Sequence, residues 1–513
     1  MGISQLSRLR LRASRLCGAV ILLLAVTSVA WEPTPSASAL TDSDINVVMI
    51  VLDEAPLFPL LKTDGTINRV RFPGFASLAD NSTWYRNMVG TAQRTTEAVP
   101  AILDGNLPTF SGYPTAKDHP NNLFSYMNGK KNLDVYQAIT SLCPNKMCPN
   151  APPDSARMLY KQVLRLEEVT QRAATSTTPT LHFAHVLLPH RPWGLAPDLR
   201  IAPDIEKFPD HRSERFVDRR RDNYQSMLRQ YVATDVLIGD LVSKLKASPN
   251  WNKTMLIVTA DHGITFEPGK SYRDHIDVNS PGTLEDIYRV PLFIKYPFQT
   301  AASQNDCTAS SIDILPSIVA ANGVRSGWRT QGSDLKSKCS NRTSRTIRWP
   351  LGTYELSTKF AALVERVKYY DNWIDADGDI DSIYRAGRSG DLLGTSVPTN
   401  SKRRSGVTWR LNGATNYQSV AIGHLAPVPT RASGTVTINE PMCDKCEGLL
   451  EINGQFVGTL PELTGTRPEN GVIPFSSSLM SRLIQPGKST INLWIADWST
   501  ATPTLMQVGP PKN

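Results

Sequence analysis

Two acidic pairs stand where apolar runs stop. Asn46–Leu52 (NVVMIVL) ends at Asp53-Glu54, and Met255–Thr259 (MLIVT) ends at Ala260-Asp261-His262-Gly263. Hard or borderline divalent cations need oxygen and imidazole donors converging on one point, and Asp53, Glu54, Asp261 and His262 supply both kinds. Neither pair is specific alone, because solvated acids open many loops and Asp-His-Gly is common after a strand. A third segment, Thr91–Gly105 (TAQRTTEAVPAILDG), carries hydroxyls. Pro100 is tolerated near a helix start, so the pattern predicts a helix beginning near Thr96 with Thr95 at its amino end. Free backbone N–H groups and the helix dipole favour an anion there, whether an alkoxide or a bound phosphate. Ordinary capping by threonine competes with that reading.

These residues need strands and helices to bring them together. Besides the two runs above, Leu181–Leu188 and Pro291–Tyr296 (PLFIKY) are short and apolar, as strands covered on both faces are. Leu228, Tyr231, Ile238, Leu241 and Leu245 recur at helical spacing and stop before Pro249, the pattern of a core-packing helix. Strands alternating with helices predict an α/β fold with a mostly parallel central sheet covered by helices. Ligands bind at the carboxyl ends of such strands, where Asp53-Glu54, His185 with His190, and Asp261-His262 fall. From about residue 400 the pattern changes to short alternating segments, with Asn453-Gly454 as a hairpin signal. A smaller β-sandwich-like domain is expected over 400–513, after a catalytic domain over 45–399.

The 513 residues exceed one ordinary hydrophobic core. Of the net charge of +8, four charges belong to Arg8, Arg10, Arg12 and Arg15, leaving a mildly basic chain without Lys/Arg blocks. That argues against nucleic acid as a partner. The four arginines precede an apolar stretch over Leu16–Ala30 with small residues after it. The stretch is short for a span and fits a signal peptide over 1–30, with a retained N-terminal anchor as the alternative. Residues 31–44 read as a flexible lead-in. Export to the cell surface, periplasm or medium follows, with membrane association through the N-terminal segment if the anchor stays. Beyond Cys17, six cysteines form three local pairs, Cys143/Cys148, Cys307/Cys339 and Cys443/Cys446, which suggests disulfides in an oxidising compartment. Cys443 and Cys446 lack the second CxxC that a structural zinc would want.

In order, the segments resemble the sulfatase branch of the alkaline-phosphatase superfamily over roughly residues 45–325. Asn46–Glu54 looks like its opening strand and metal-binding acids, and Thr95–Gly105 like its nucleophile segment, with Thr95 ten positions before Gly105. Pro189-His-Arg-Pro192 is similar to its histidine motif and Thr259–Gly263 to its later metal motif. Tyr288–Ile294 and Ile312–Pro316 look like later strand and helix markers. Sulfatases carry Cys or Ser at the nucleophile, followed by x-Pro-x-Arg, and convert it to formylglycine. Here Thr95 is followed by Thr96, Glu97, Ala98 and Val99. An unmodified Thr looks instead like the superfamily's phosphatases, phosphodiesterases and phosphoglycerol or phosphoethanolamine transferases.

The resemblance implies one divalent metal ion (Mn, Mg, Ca or Zn) held by Asp53, Asp261 and His262, with Glu54 and Thr95 completing the set. It implies Thr95 as nucleophile and His190 as the group that contacts the substrate or protonates the leaving group. His185 and Thr96 are the expected substrate contacts. Asp274-His275 does not complete a second metal set. Asp375–Asp381 (DADGDID) lacks EF-hand order and reads as an acidic turn. The expected substrate is a phosphorus or sulfate ester on an envelope lipid or glycan. Two alternatives stand beside this: a sulfuric ester hydrolase without formylglycine, and an inactive scaffold whose C-terminal β domain binds carbohydrate, where Trp409, Trp494 and Trp498 permit sugar stacking but core packing explains them equally well.

Overall fold

The computed structural model describes residues 45–149, 158–203, 217–323, 325–337, 343–440, 442–463 and 471–512. The signal-peptide, anchor and lead-in readings and Cys339 lie outside them.

The run NVVMIVLD is buried at all of its eight positions and forms β1 (Asn46–Asp53). A strand without a polar face needs partners on both edges and cover on both faces. The edges go to β4 (Thr180–Pro189) and β5 (Thr254–Ala260), both parallel to β1. With β2 (Thr83–Tyr85), β3 (Asn132–Gln137), β6 (Leu292–Lys295) and β7 (Ser303–Asn305), the sheet runs β3-β4-β1-β5-β6-β2-β7. β6 is antiparallel to β5 and to β2. The reason lies just before it: α6 (Pro281–Tyr288) ends at the carboxyl end of β5, where Gly263 N–H donates to the Ile287 carbonyl at 2.7 Å. The returning strand therefore starts at that end. The sheet is mostly parallel, as the sequence predicts.

Seven further helices cover the sheet and its ends: α1 (Pro73–Ala79), α2 (Thr95–Asp104), α3 (Leu123–Met127), α4 (Leu159–Thr175), α5 (Val217–Ala247), α7 (Ile314–Ala321) and α8 (Phe360–Asp371). The stripe of Leu228, Tyr231, Ile238, Leu241 and Leu245 lies on α5, and all five residues are buried. α5 packs on α1, α4 and β4. Its Asp235 caps α1 from the side, accepting from Gly74 N–H at 2.9 Å and Phe75 N–H at 2.6 Å.

A hairpin of β8 (Ser344–Trp349) and β9 (Gly352–Ser357) precedes α8. The C-terminal strands follow: β10 (Lys402–Arg403), β11 (Val407–Leu411), β12 (Arg431–Ile438), β13 (Cys446–Ile452), β14 (Gln455–Leu460), β15 (Val472–Ser478), β16 (Ile491–Asp497) and β17 (Thr504–Gly509). They make a five-stranded sheet, β10-β17-β16-β13-β14, and a three-stranded sheet, β11-β12-β15. One core joins the two sheets through Trp409, Val436, Leu450, Phe475, Leu493 and Ile495. The alternate residues Leu449, Phe456, Trp494 and Ala496 belong instead to the main core of the α/β part. Strands β13, β14 and β16 of the larger sheet are thus buried on both faces, a use of period-two alternation that leaves little of these three for solvent, while β10 is exposed. Asn453 and Gly454 join β13 to β14 with φ of 52° and 85°, as a type I′ hairpin requires.

Cys143–Cys148 and Cys443–Cys446 are disulfides, with Cα separations of 5.9 and 5.3 Å. Cys307 is also disulfide-bonded. The acidic turn is structural: Asp377 accepts from Thr63 N–H and Oγ1, Asp381 pairs with Arg482, and the Asp375 and Asp379 carbonyls accept from buried Arg71. Among the described residues no helix is long and apolar enough to cross a membrane.

Candidate active site

The registers Leu52↔Ala260 and Val51↔His185 set the carboxyl ends of β1, β5 and β4 side by side. Asp53, Asp261 and His185 consequently converge, with one donor atom of each lying within 4.8 Å of the others. His185 Nε2 is 3.8 Å from both Asp53 Oδ2 and Asp261 Oδ2. Asp261 Oδ1 is occupied, accepting from the N–H groups of Glu54 at 3.2 Å and His262 at 2.6 Å. Its Oδ2 is buried without a hydrogen-bond partner, and so are Asp53 Oδ1 and His185 Nε2. Burial, with the charge of Asp53 beside it, pushes the Asp261 carboxyl well above the ordinary range. Buried polar atoms are nearly always satisfied, so an unsatisfied atom on each of three converging side chains asks for a cation.

Thr95 is the first residue of α2, which has no side-chain cap from Arg94. Its Oγ1 is 3.4 Å from Asp53 Oδ2 and 3.4 Å from His262 Nε2. α2 starts one residue earlier than the proline argument predicts, and Pro100 is its sixth residue. The Thr96 hydroxyl turns to Glu97 Oε2 at 2.7 Å.

A second group of charges lies nearer to solvent. Glu54 has φ of 60°, a left-handed conformation that non-glycine residues adopt at a cost. It turns the chain so that Asp53 and Glu54 have different neighbours. Glu54 Oε1 lies 3.1 Å from Arg273 Nε, and Oε2 lies 3.7 Å from His190 Nε2. Burial alone raises the Glu54 pKa, but the positive charges of His190, Arg273 and Arg191 outweigh it and hold the carboxyl below its usual range. Arg273 also donates to His262 Nε2 and, at 3.2 Å, to His190 Nε2.

The three histidines share one tautomer. Nδ1 of His185 donates to the Ala138 carbonyl (2.8 Å), Nδ1 of His190 to the Arg191 carbonyl, and Nδ1 of His262 to the Gly263 carbonyl (3.0 Å). Every Nε2 therefore presents a lone pair inward, as a metal-binding or proton-accepting imidazole must. Burial lowers the pKa of His185, and burial with the Arg273 charge takes His262 well below its ordinary value.

Of the residues singled out in the sequence, the structure gathers Asp53, Glu54, Thr95, His185, His190, Asp261 and His262. His185, expected among the substrate contacts, falls between the two aspartates. Asp274 lies 3.8 Å from exposed Arg94, and His275 is exposed. Arg273 carries no sequence motif, and only its long-range pairing with Glu54 marks it. Trp409 and Trp494 are buried, with 1% and 2% exposure, so neither offers a face to a sugar. Trp498 is partly buried and donates to Ser389 Oγ at 2.9 Å.

The sulfatase family model matches residues 45–324. An ulvan-active sulfatase of Formosa agariphila is 26% identical over 177 residues, which cover 33% of this chain and 34% of the relative. The match thus spans about a third of that curated relative's length. Among solved structures, a 2-O GAG sulfatase superposes with a TM-score of 0.44 at 14% identity, covering 60% of this chain and 78% of the other. A phosphonate monoester hydrolase from Silicibacter pomeroyi gives 0.42 at 16%, over 59% and 79%. A Vibrio parahaemolyticus protein of the alkaline phosphatase superfamily gives 0.42 at 14%, over 64% and 88%. The family model covers more than half of the 513 residues, and it contains every donor described above. The chain belongs to the sulfatase family.

Proposed function

We propose that this protein is an exported, metal-dependent esterase that cleaves phosphorus esters, by hydrolysis or transfer, through Thr95. The observation that carries the reading is the Thr95 hydroxyl, 3.4 Å from both Asp53 Oδ2 and His262 Nε2 at the uncapped start of α2. Position 95 is neither Cys nor Ser, which argues for an unmodified threonine. Asp53, His185 and Asp261 suit one divalent ion, with His262 Nε2 beside them, 3.5 Å from Asp261 Oδ2. A mixed nitrogen and oxygen set favours Mn²⁺ or Zn²⁺ over Ca²⁺, which prefers a fuller shell of oxygens. Such an ion would supply Lewis-acid charge beside the nucleophile and the ester oxygens.

The chain's own residues do the rest. Thr95 Oγ1 attacks phosphorus and passes its proton to Asp53 Oδ2, while the amino end of α2 favours the anion. His190, at the rim, contacts the leaving group, whose oxygen takes its proton from water as it departs. Water or an acceptor alcohol then releases the phosphoryl group from Thr95. Residues 45–399 carry this chemistry, and 400–513 support it. The two local disulfides favour an oxidising compartment, hence export.

A second reading, a sulfate ester as substrate, is favoured by the family model and by the name of the ulvan-active relative. The same name favours a glycan over a lipid as the natural substrate. Turnover of p-nitrophenyl phosphate, bis-p-nitrophenyl phosphate and p-nitrophenyl sulfate, with and without chelator, separates the readings. Phosphorus esters are expected to turn over and to stop turning over on chelation. Thr95→Ala should lower the rate at least about a thousandfold. Cleavage of the sulfate alone, or full activity in Thr95→Ala, would sink the phosphoester reading or the nucleophile respectively.

A further inference from the structure

α5 packs into the core through Leu228, Tyr231, Ile238, Leu241 and Leu245, yet the two residues between the first pair, Arg229 and Gln230, are polar and also buried. Their hydrogen bonds go to backbone. Arg229 donates to the carbonyls of Trp193 at 2.9 Å and Leu195 at 3.2 Å, and to Thr430, just before β12, at 3.1 Å. The Tyr231 hydroxyl donates to the Pro56 carbonyl at 3.0 Å, two residues after Glu54. Gln230 spends its whole carboxamide on the segment that carries His190. Its Nε2 donates to the carbonyls of Pro189 at 3.2 Å and His190 at 2.8 Å, and its Oε1 accepts from Leu195 N–H at 3.1 Å. Two donors and an acceptor at one side-chain end are what an amide offers, whereas core packing alone would be met by an apolar residue of that length. The two carbonyls belong to the peptide planes on either side of the His190 Cα. Holding both planes fixes φ and ψ of His190, and with them the direction in which its Cβ leaves the chain. That direction brings the imidazole Nε2 to Arg273 Nη2 at 3.2 Å and Glu54 Oε2 at 3.7 Å. The ring's own bond to the Arg191 carbonyl sets which nitrogen faces inward, not where the ring stands.

We propose that Gln230 is the positioning residue of His190: its amide holds the backbone on both sides of that histidine and so sets the imidazole at the rim, where the leaving group departs. The inference rests on the role given to His190 above and names the residue through which α5 fixes it.

The test is a double-mutant cycle on the full chain. Turnover of p-nitrophenyl phosphate and its bis-ester, per folded molecule and with Mn²⁺ supplied, is compared for Gln230→Met, His190→Ala and the pair. Gln230→Met keeps the length and loses the amide, and it should lower kcat about ten- to a hundredfold, as a displaced contact does. Added to His190→Ala, it should cost less than about twofold more. A side chain that only supports the fold would leave turnover per folded molecule unchanged, or would add its full loss to that of His190→Ala, and either result overturns the proposal. Gln230→Glu, which keeps the acceptors but turns a carboxylate on two carbonyls, should lose as much as Gln230→Met and is the second variant should that one not fold. If neither folds, the amide is a folding element and the proposal falls. A readout without turnover comes from the chain labelled at its histidine nitrogens and kept in chelator. The ring signals of His190 should move in Gln230→Met while those of His182 and His424 stay, and unmoved His190 signals overturn the proposal. Moved signals in a chain without ester turnover, or beside a fully active His190→Ala, remove only the function given above. Thr95-dependent turnover with additive losses removes only the positioning role.

Discussion

The carboxyl ends of β1, β4 and β5 and the C-terminal pair of sheets are both buried, yet they treat polar groups in opposite ways. At the strand ends, Asp53 Oδ1, Asp261 Oδ2 and His185 Nε2 lack hydrogen-bond partners, while Glu54 beside them is ion-paired with Arg273 and His190. In the sheets, the Trp409 indole donates to the Gly509 carbonyl at 2.9 Å, and Glu451 collects Gly454 N–H, Asn492 and, at 3.4 Å, the Trp494 indole. A buried atom left without a partner costs stability, and that cost is tolerated where a ligand completes the set. One region is built to be finished by what it binds, the other to stand alone.

Asp261→Asn should break this contrast most sharply. Turnover is expected to fall at least about a thousandfold with loss of Mn²⁺ binding. Yet in chelator the variant should melt no lower than the parent. The raised Asp261 pKa means that the parent is unpenalised below the ordinary carboxylate range and loses stability as pH rises above it. The gap in favour of the variant should therefore widen between pH 5 and pH 8. A variant less stable at every pH would show that the floor is self-sufficient. Trp409→Ala tests the other side: about 3–5 kcal/mol of stability lost in urea denaturation, with turnover per folded molecule within about twofold of the parent.

Asp235 sharpens the comparison with a carboxylate that is buried but satisfied. Burial outweighs its two backbone donors and raises its pKa to about 7. Its contribution is therefore largest below about pH 4 and declines by up to about 1.4 kcal/mol per pH unit as pH rises toward 7. Asp235→Asn should flatten that slope in pH-dependent melting, without the rate loss of Asp261→Asn. The smallest effect belongs to Cys443→Ser with Cys446→Ser. A loop this short constrains the unfolded chain little, so about 2 kcal/mol or less should be lost, with no change in turnover.

The strand ends are legible because a continuous apolar run stopped by an acid has few alternative structures. β1 and β5 extend only one residue beyond the apolar runs at Asp53 and Ala260, with Thr254 added at the start of β5. Thr95 is legible to within one residue of its helix start. His185 is not fully so: an imidazole inside a strand buried on both faces gives no hint of which side it takes, and only the register with Val51 sets it between the aspartates. Arg273 is invisible in the sequence because its meaning lies in a partner 219 positions away, Glu54. The tryptophans mislead for a related reason: Trp409 fills the core between the two C-terminal sheets and Trp494 packs on the α/β core, and neither neighbour is visible from the local alternation.

The three histidines are oriented by the carbonyls of Ala138, Arg191 and Gly263 and not by carboxylates. A carbonyl belongs to every residue, so no side-chain substitution at these positions deletes an acceptor. Which nitrogen faces inward is thus written in the path of the chain, and the site tolerates drift in its surroundings while remaining sensitive to insertions or deletions that move the backbone. Gly263 is the exception. A Cβ there would sit 2.2 Å from the Asp286 carbonyl oxygen, so at this one position a point substitution acts as a displacement of the chain.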